Sequence, residues 1–282
     1  MKKRRVALVL AGGGARGVAH IGAIEELERQ GFEISAVAGT SMGALVGGVY
    51  ASGYLEPFKE WMRVLDKYKV FSLVDFALST EGLVKGDRVM EAMKELVPDV
   101  QIERMPGPFA AVAADLLTGD EVVLDSGGLY DAIRASISIP SVFRPVHRDG
   151  RVLVDGGTVN PLPLNRVRRE EGDLLVAVDV SARFGADSVR RANASLNYYK
   201  VLIASSQIMQ QRITQLMCRL YKPDIMVGLP ADSYGMFEFY RSEEILEAGR
   251  AATRAVLERL ETDGENGMVF AESEEKIATA RF

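Results

Sequence analysis

The chain has 282 residues, 48% of them hydrophobic, and a formal net charge of −5. The length and apolar content suit a compact α/β enzyme. The negative charge argues against nonspecific binding of nucleic acid and against strong attraction to an anionic membrane surface, and a single cysteine, Cys218, excludes a disulfide framework. We predict a cytoplasmic protein with one domain over residues 1–261 and a polar, flexible tail over residues 262–282.

The N-terminus combines four basic residues with an apolar run, a pattern that imitates a secretory signal peptide. The run from Val6 to Ala11 is shorter than the roughly 7–15 residues of such a peptide, and it leads directly into a glycine-rich loop. We therefore interpret Val6–Leu10 as the first, fully buried strand. No other segment approaches the ~18 apolar residues of a membrane span, so none is expected.

The loop after this strand, Gly12-Gly13-Gly14-Ala15-Arg16-Gly17, precedes a helix that ends at Gly31. Glycine-rich backbone at a helix N-terminus exposes N–H groups that can hold an anion, either a phosphate or the oxyanion of an acyl-transfer intermediate. The first, third and sixth loop residues also fit the dinucleotide pattern G-x-G-x-x-G. That fold needs an acid at the end of its second strand, whereas Glu33 precedes the strand. Nucleotide binding is kept as the weaker alternative.

A second turn contains the candidate nucleophile. The sequence Gly39-Thr40-Ser41-Met42-Gly43 follows the predicted strand Ile34–Ala38 and precedes a helix of small residues, Ala44–Ala51. This spacing is typical of a nucleophile elbow, in which glycines two residues either side of a serine permit a sharp strand-to-helix turn. The pattern therefore indicates that Ser41 is presented for attack on a substrate. The alternative is an N-capping serine in an ordinary tight turn.

A base is needed to activate Ser41, and the chain has two histidines. His20 lies early in the first helix, where a structural hydrogen bond is the plainer interpretation, and His147 falls in a predicted polar turn between two short strands. Asp155 ends the predicted strand Val152–Val154 and precedes two glycines. It therefore occupies the carboxyl end of a strand, where open α/β sheets build their sites. We predict Asp155 as the base, the alternative being an Asp-Gly turn.

The remaining strands alternate with helices, which predicts a mostly parallel sheet covered on both faces. Residues 117–120 are expected to form a hairpin turn whose second arm is added at an edge of the sheet. The further predicted strands are Phe109–Ala114, Val122–Leu124, Leu174–Val180 and Asp224–Val227.

Two segments are candidates for substrate control. Residues 54–96 carry large apolar side chains between polar ones, and they are expected either to line an acyl channel or lid or to be ordinary helices packed on the sheet. Residues 183–221 combine a polar stretch with a helix of about six turns. For that helix, packing on the core, closure over the site and contact between two subunits all stay open.

Four segments, in their order along the chain, resemble the patatin-like phospholipase family. The resemblance covers about residues 6–163, and the strand at residues 224–230 and the helix at residues 243–260 look similar to the family's C-terminal end. The four segments are Gly12–Gly17, Gly39–Gly43, Ala135-Ser136-Ile137-Ser138-Ile139-Pro140 and Asp155-Gly156-Gly157.

This resemblance implies a three-layer α/β/α patatin-like fold with a mostly parallel central sheet, and hydrolysis of lipid acyl esters by a Ser–Asp dyad without histidine. Residue by residue, it implies Ser41 as the nucleophile, Asp155 as the base, and the backbone of Gly12–Gly14 as the oxyanion hole, with Arg16 beside it. A buried aspartate can act as a base because desolvation raises the pKa of its carboxyl group.

The expected substrate is a phospholipid, lysophospholipid or related acyl ester, met during transient contact with a membrane surface. Nucleic acid is not an expected partner, and no cofactor or metal is expected, because the sequence contains no cluster of metal-ligating residues. Two alternatives stay open. One is an acyltransferase or thioesterase that uses the same acyl-serine intermediate. The other is a nonenzymatic lipid-binding protein that has kept the pocket.

Overall fold

The computed structural model of the chain describes residues 4–73, 87–182 and 198–262. Within these ranges, apolar runs form an eight-stranded central sheet, and amphipathic helices flank it in a three-layer α/β/α arrangement. The strands are β1 Arg4–Leu10, β2 Phe32–Thr40, β3 Phe109–Asp115, β4 Glu121–Leu124, β5 Val146–Arg148, β6 Arg151–Asp155, β7 Leu174–Ala182 and β8 Ile225–Pro230.

The described helices vary from two to about seven turns in length. Short 3₁₀ turns cover Gly14–Val18, Ile102–Arg104, Gly156–Thr158 and Phe239–Arg241. No helix in the described ranges is long and apolar enough to cross a membrane. The α-helices are α1 Ala19–Arg29, α2 Met42–Ala51, α3 Leu55–Arg63, α4 Lys67–Leu73, α5 Asp87–Lys94, α6 Leu129–Ser136, α7 Tyr198–Tyr221 and α8 Ser242–Thr262.

The sheet runs in the order β5-β6-β3-β2-β1-β7-β8, and β4 pairs with β3 beside this path. The pairs β1–β2, β1–β7, β2–β3 and β7–β8 are parallel, whereas β3–β4, β3–β6 and β5–β6 are antiparallel. The expected mostly parallel centre is therefore confirmed, as is the hairpin between β3 and β4. The antiparallel strands lie together at one side of the sheet.

The register of β3 brings the ends of two strands together. On β3, Val112 pairs with Thr40 of β2, and the next residue, Ala113, pairs with Asp155 of β6. β4 pairs with residues 111–114 of β3 and therefore occupies one edge of β3. β2 and β6 share the opposite edge of β3. They run in opposite directions along it. Their C-terminal ends therefore meet end to end in the middle of the sheet.

The core lies on both sides of β1, where Val6–Leu10 is completely buried. On one face, α1 and α8 pack against each other with their backbones in close contact. A Cβ atom at Gly22 would lie 2.0 Å from the carbonyl oxygen of Leu246, and one at Gly249 would lie 2.0 Å from that of Ala19. Glycine is required at both crossings, because any larger residue would force the helices apart.

The structure also corrects one local prediction. His147 does not lie in a turn: it belongs to β5 and pairs with Val152, and the turn is made by Asp149 and Gly150, both at positive φ. In β5, His147 is exposed and its two neighbours are only partly buried, so the strand lacks the apolar run by which the other strands are recognised. Residues 74–86, 183–197 and 263–282 lie outside the described residues, and with them most of the predicted tail.

Candidate active site

Ser41 lies on a sharp turn between β2 and α2. Its backbone has φ 56° and ψ −124°, in the left-handed region that is strained for a residue with a side chain. The flanking glycines explain how the turn closes. A Cβ atom at Gly39 would lie 2.4 Å from the carbonyl carbon of Gly43, and one at Gly43 would lie 2.2 Å from the carbonyl oxygen of Leu10. Both close approaches require glycine, so the turn has the geometry of a nucleophile elbow.

Asp155 lies at the end of β6, where that strand meets β2. Its carboxylate accepts a hydrogen bond from the backbone N–H of Gly157 at 2.7 Å, and the Ser41 hydroxyl is close enough to lower the pKa of the carboxyl group by hydrogen bonding. The residue is only 6% exposed. Burial raises the pKa of the Asp155 carboxyl group to about 6, against the lowering effect of the two hydrogen bonds. The carboxylate is therefore a stronger base than an exposed aspartate and still ionised at neutral pH.

Ser136, the last residue of α6, and Ser138, just after it, bond to the backbone of the candidate nucleophile and base. The backbone N–H of Ser41 donates to the Ser136 hydroxyl oxygen at 2.8 Å, and that hydroxyl donates to the carbonyl oxygen of Val112 at 2.6 Å. The backbone N–H of Asp155 donates to the carbonyl oxygen of Ser138 at 2.9 Å. Sequence reasoning used these serines only for the family resemblance and missed this role. The available signal was a pair of serines at the C-terminal end of an amphipathic helix.

The glycine loop after β1 lies beside Ser41. A Cβ atom at Gly12 would be 3.2 Å from the Cβ atom of Ser41. The N–H of Gly12 donates to the carbonyl oxygen of Pro161 at 3.1 Å, so it is already occupied. Within the described residues, the N–H groups of Gly13 and Gly14 have no such acceptor. Of the three predicted backbone donors, the geometry thus leaves Gly13 and Gly14 available to a substrate.

Arg16 is buried, and it donates hydrogen bonds to backbone carbonyls of another loop. Its Nη1 donates to the carbonyl oxygens of Ala231 and Tyr234. Burial lowers the pKa of Arg16, and the nearby carboxylate of Asp179 opposes that effect. The residue therefore anchors the loop at 231–236, whose Met236 carbonyl accepts the N–H of Ala15 at 2.9 Å. This arrangement makes Arg16 a support of the glycine loop.

Neither histidine bonds to Ser41 or Asp155. His20 is completely buried, and its Nε2 donates to the carbonyl oxygen of Ala11 at 2.8 Å, directly before the glycine loop. Burial lowers the pKa of His20 to about 4, so the ring is neutral near pH 7. His147 is exposed on β5. The geometry thus agrees with a structural role for His20.

An apolar pocket of about 780 Å³, measured to its open mouth, adjoins Ser41 and Gly14. The described part of segment 54–96 supplies one wall, which favours the acyl-channel interpretation of that segment over simple packing. Residues after α6 and before α8 supply the others. No charged side chain lines the pocket within the described residues, and this apolar lining suits an acyl chain. The apolar lining residues are Met42, Leu45, Phe58, Trp61, Met62, Leu65, Val70, Val89, Met93, Ile137, Ile139, Phe143, Met236, Phe237 and Phe239.

A profile described as patatin-like phospholipase matches residues 8–167, which include the loop, the elbow and Asp155. The chain belongs to the patatin-like phospholipase family. The match begins within β1 and ends after the 3₁₀ turn at Gly156–Thr158. It therefore covers every patatin-like motif on which the site was predicted.

Relatives of this patatin-like chain are longer than the chain itself. It is 45% identical to an uncharacterized NTE family protein from Mycobacterium tuberculosis over 177 residues, which is 63% of this chain and 49% of that protein. It is 27% identical to patatin-like phospholipase domain-containing protein 7 from Mus musculus over 90% of this chain and 20% of that protein. The chain spans about half the length of the mycobacterial relatives that it matches.

Among solved structures, the crystal structure of VipD from Legionella pneumophila aligns with a TM-score of 0.49 and 14% identity. The alignment covers 92% of this patatin-like chain and 67% of that one. In the described part of the chain, no group of three or more histidine, cysteine or acidic residues is placed to hold a metal ion.

Proposed function

We propose that this chain is a lipid acyl hydrolase that cleaves the carboxylic ester bonds of phospholipids, lysophospholipids or related acyl esters through a Ser41–Asp155 dyad. The observation that carries the proposal is the placement of Ser41, on its strained elbow, close enough to the buried Asp155 for its hydroxyl to lower the pKa of that carboxyl group, beside an apolar pocket. Membership of the patatin-like phospholipase family supports the same chemistry. A cytoplasmic location and a single domain over residues 1–261 remain predictions.

In the first half of the reaction, Asp155 accepts the hydroxyl proton as Ser41 Oγ attacks the ester carbonyl carbon. The negative charge that develops on the carbonyl oxygen is stabilised by the N–H groups of Gly13 and Gly14, with Arg16 fixing the loop behind them. The tetrahedral intermediate collapses when the alcohol leaves and takes the proton from Asp155. An acyl-serine remains, with its chain in the apolar pocket.

In the second half, Asp155 deprotonates a water molecule that attacks the acyl-serine. The carboxylic acid leaves and the hydroxyl of Ser41 is restored. A thioesterase would form the same acyl-serine from a thioester substrate, and an acyltransferase would transfer the acyl group to an acceptor other than water. Product analysis with water, alcohol and thiol acceptors therefore distinguishes these alternatives from the hydrolase.

The first experiment combines labelling by a serine-directed fluorophosphonate with turnover of a short-chain nitrophenyl ester. We expect Ser41→Ala to abolish both, with a loss of turnover on the order of 10⁶, because no other group can form the acyl-enzyme. The matched control is Ser52→Ala, since Ser52 is also buried but lies beyond the opposite end of α2. If wild-type Ser41 stays unlabelled, the chain is a lipid-binding protein instead. A panel of phospholipids and other acyl esters then identifies the substrate.

A further inference from the structure

Within the described residues, one face of α7 is apolar and exposed. Its exposed positions recur at helical spacing on a single side, and most of them are large apolar residues. The opposite side contains the buried residues Thr214 and Cys218, and Cys218 packs with the core residues beneath the helix. The inner side of the helix therefore packs on the core, and the apolar outer face is exposed. The exposed apolar residues of this face are Val201, Leu202, Ile208, Met209, Leu216 and Leu220.

The same face is positively charged. Arg212 and Arg219 are exposed on it between the apolar residues, and the sequence from residue 198 to residue 222 contains no aspartate or glutamate. The chain as a whole has a net charge of −5. The helix is thus positively charged in a chain whose net charge is negative. An amphipathic helix with arginines beside exposed apolar side chains is typical of segments that lie on a lipid surface.

The position of α7 connects this face to the candidate active site. Gln211 Nε2 donates to the carbonyl oxygen of Ser181 at 3.3 Å, at the end of β7. A Cβ atom at Gly157 would lie 3.4 Å from Gln210 Nε2, and Gly157 is the residue whose N–H binds the Asp155 carboxylate. The inner side of the helix therefore contacts the turn that holds the candidate base.

We infer that the outer face of α7 is a docking surface for an anionic lipid surface. The apolar side chains enter the boundary between headgroups and acyl chains, while Arg212 and Arg219 bind lipid phosphates. The inference deepens the proposed function, because docking at α7 brings a lipid surface beside the pocket at Ser41. Charge complementarity favours lipid over a second copy of the chain. A symmetric pair of α7 helices would bring arginines together without an acidic partner on either face.

The test measures binding of the full-length Ser41→Ala protein to vesicles, so that hydrolysis cannot change them. One set contains phosphatidylcholine alone, and the other contains phosphatidylcholine with phosphatidylglycerol. We expect co-sedimentation with the mixed vesicles and binding about tenfold weaker to phosphatidylcholine alone, because two arginines lose their anionic partners. Equal binding to the two sets would contradict the assignment.

A double substitution tests the face itself. Met209 and Leu216 are 60% and 62% exposed, so Met209→Glu/Leu216→Glu should fold normally while lowering the affinity for mixed vesicles by more than about tenfold. The matched control is Arg259→Glu, which changes the net charge by the same amount on an exposed position of α8. If the double variant binds as tightly as this control, the face is not the docking surface. Arg212→Gln/Arg219→Gln is expected to remove only the preference for phosphatidylglycerol, which provides a milder second test.

Two further measurements separate the remaining explanations. If the wild-type chain sediments as a dimer that the double substitution dissociates, and vesicle binding is absent, a second copy covers the face and the lipid assignment is overturned. Turnover of a soluble nitrophenyl ester, measured with Ser41 intact, should be unchanged by Met209→Glu/Leu216→Glu. Failure of the wild-type chain to hydrolyse that ester would overturn the proposed function, while vesicle binding by Ser41→Ala would still stand.

Discussion

At the scale of single residues, burial gives Asp155 an unusual pKa for an aspartate. A pKa of about 6 predicts that ester turnover rises with pH through that value and then levels off, because only the ionised carboxylate can accept the Ser41 proton. Burial lowers the pKa of His20 to about 4, so a base at His20 would move the limb to that pH. Substitution of both histidines tests His147 as well.

The double variant His20→Asn/His147→Asn tests whether a histidine is the general base. Neither histidine bonds to Ser41 or Asp155, so the variant should keep labelling by a fluorophosphonate and keep its acidic limb near pH 6. His20 holds the carbonyl of Ala11, so a moderate loss of stability is expected and the fold should be checked by circular dichroism. A folded variant with neither labelling nor turnover would show that a histidine is the base.

Asp155→Asn is expected to abolish turnover and to stabilise the fold at neutral pH. The folded-state pKa is above the unfolded value of about 4, so ionisation opposes folding. That penalty is absent below pH 4 and complete above pH 6. There, the difference between the folded and unfolded pKa of Asp155 corresponds to about 3 kcal/mol. The amide oxygen still accepts from Gly157. Urea unfolding should therefore give the variant a higher free energy of unfolding at pH 8 and no such gain at pH 4. An equal gain at both pH values would contradict this explanation.

Ser136 offers a test of positioning. Ser136→Ala leaves the backbone N–H of Ser41 buried without its acceptor, a change that costs about 1–3 kcal/mol of stability and loosens the elbow. We expect kcat to fall at least tenfold with little change in KM, because Ser136 lies behind the nucleophile and does not line the pocket. The matched variant Ser138→Ala keeps the carbonyl that binds Asp155, so its loss of kcat should be smaller. A larger loss for Ser138→Ala would refute the assignment.

At the scale of secondary-structure elements, the glycine loop is sensitive to an added methyl group. A Cβ atom at Gly13 would lie 2.5 Å from Val180 Cγ2, so Gly13→Ala must shift the loop. We expect kcat to fall by about 10²–10³ with a smaller change in KM, as for a displaced oxyanion donor. Gly107→Ala is the control, because its Cβ would meet nothing within 4 Å. A change in KM alone would indicate ground-state binding.

The elements themselves were largely predictable from the sequence. The predicted strands and the helices at α1, α2, α7 and α8 agree with the structure to within a few residues, because buried apolar runs and glycine stops dominate their local preferences. The antiparallel direction of β6 was not predictable, since it depends on pairing with a strand some forty residues earlier. The occupied N–H of Gly12 and the hydroxyl of Ser136 were equally hidden, because both depend on partners distant in the sequence.

At the scale of the whole molecule, the net charge is an average over surfaces of different sign. The net charge of −5 argues against attraction to anionic lipid. The charged side chains of α7, however, are all positive, and the helix lies beside the candidate site. The acidic residues are placed on other elements, such as Glu25 and Glu26 of α1 with their arginine and lysine partners. Contact with a lipid surface therefore depends on which face is presented and less on the charge of the entire chain.

Because β2 and β6 meet on one edge of β3, the candidate site can form only after both strands have been synthesised. Ser41 emerges early from the ribosome, but the edge that faces it stays empty until the chain has been extended through Asp155. A nascent or prematurely terminated chain that stops before this point contains the nucleophile without its proposed base. Under the proposed mechanism the Ser41–Asp155 dyad is therefore completed only late in translation, and a product truncated before Asp155 lacks it.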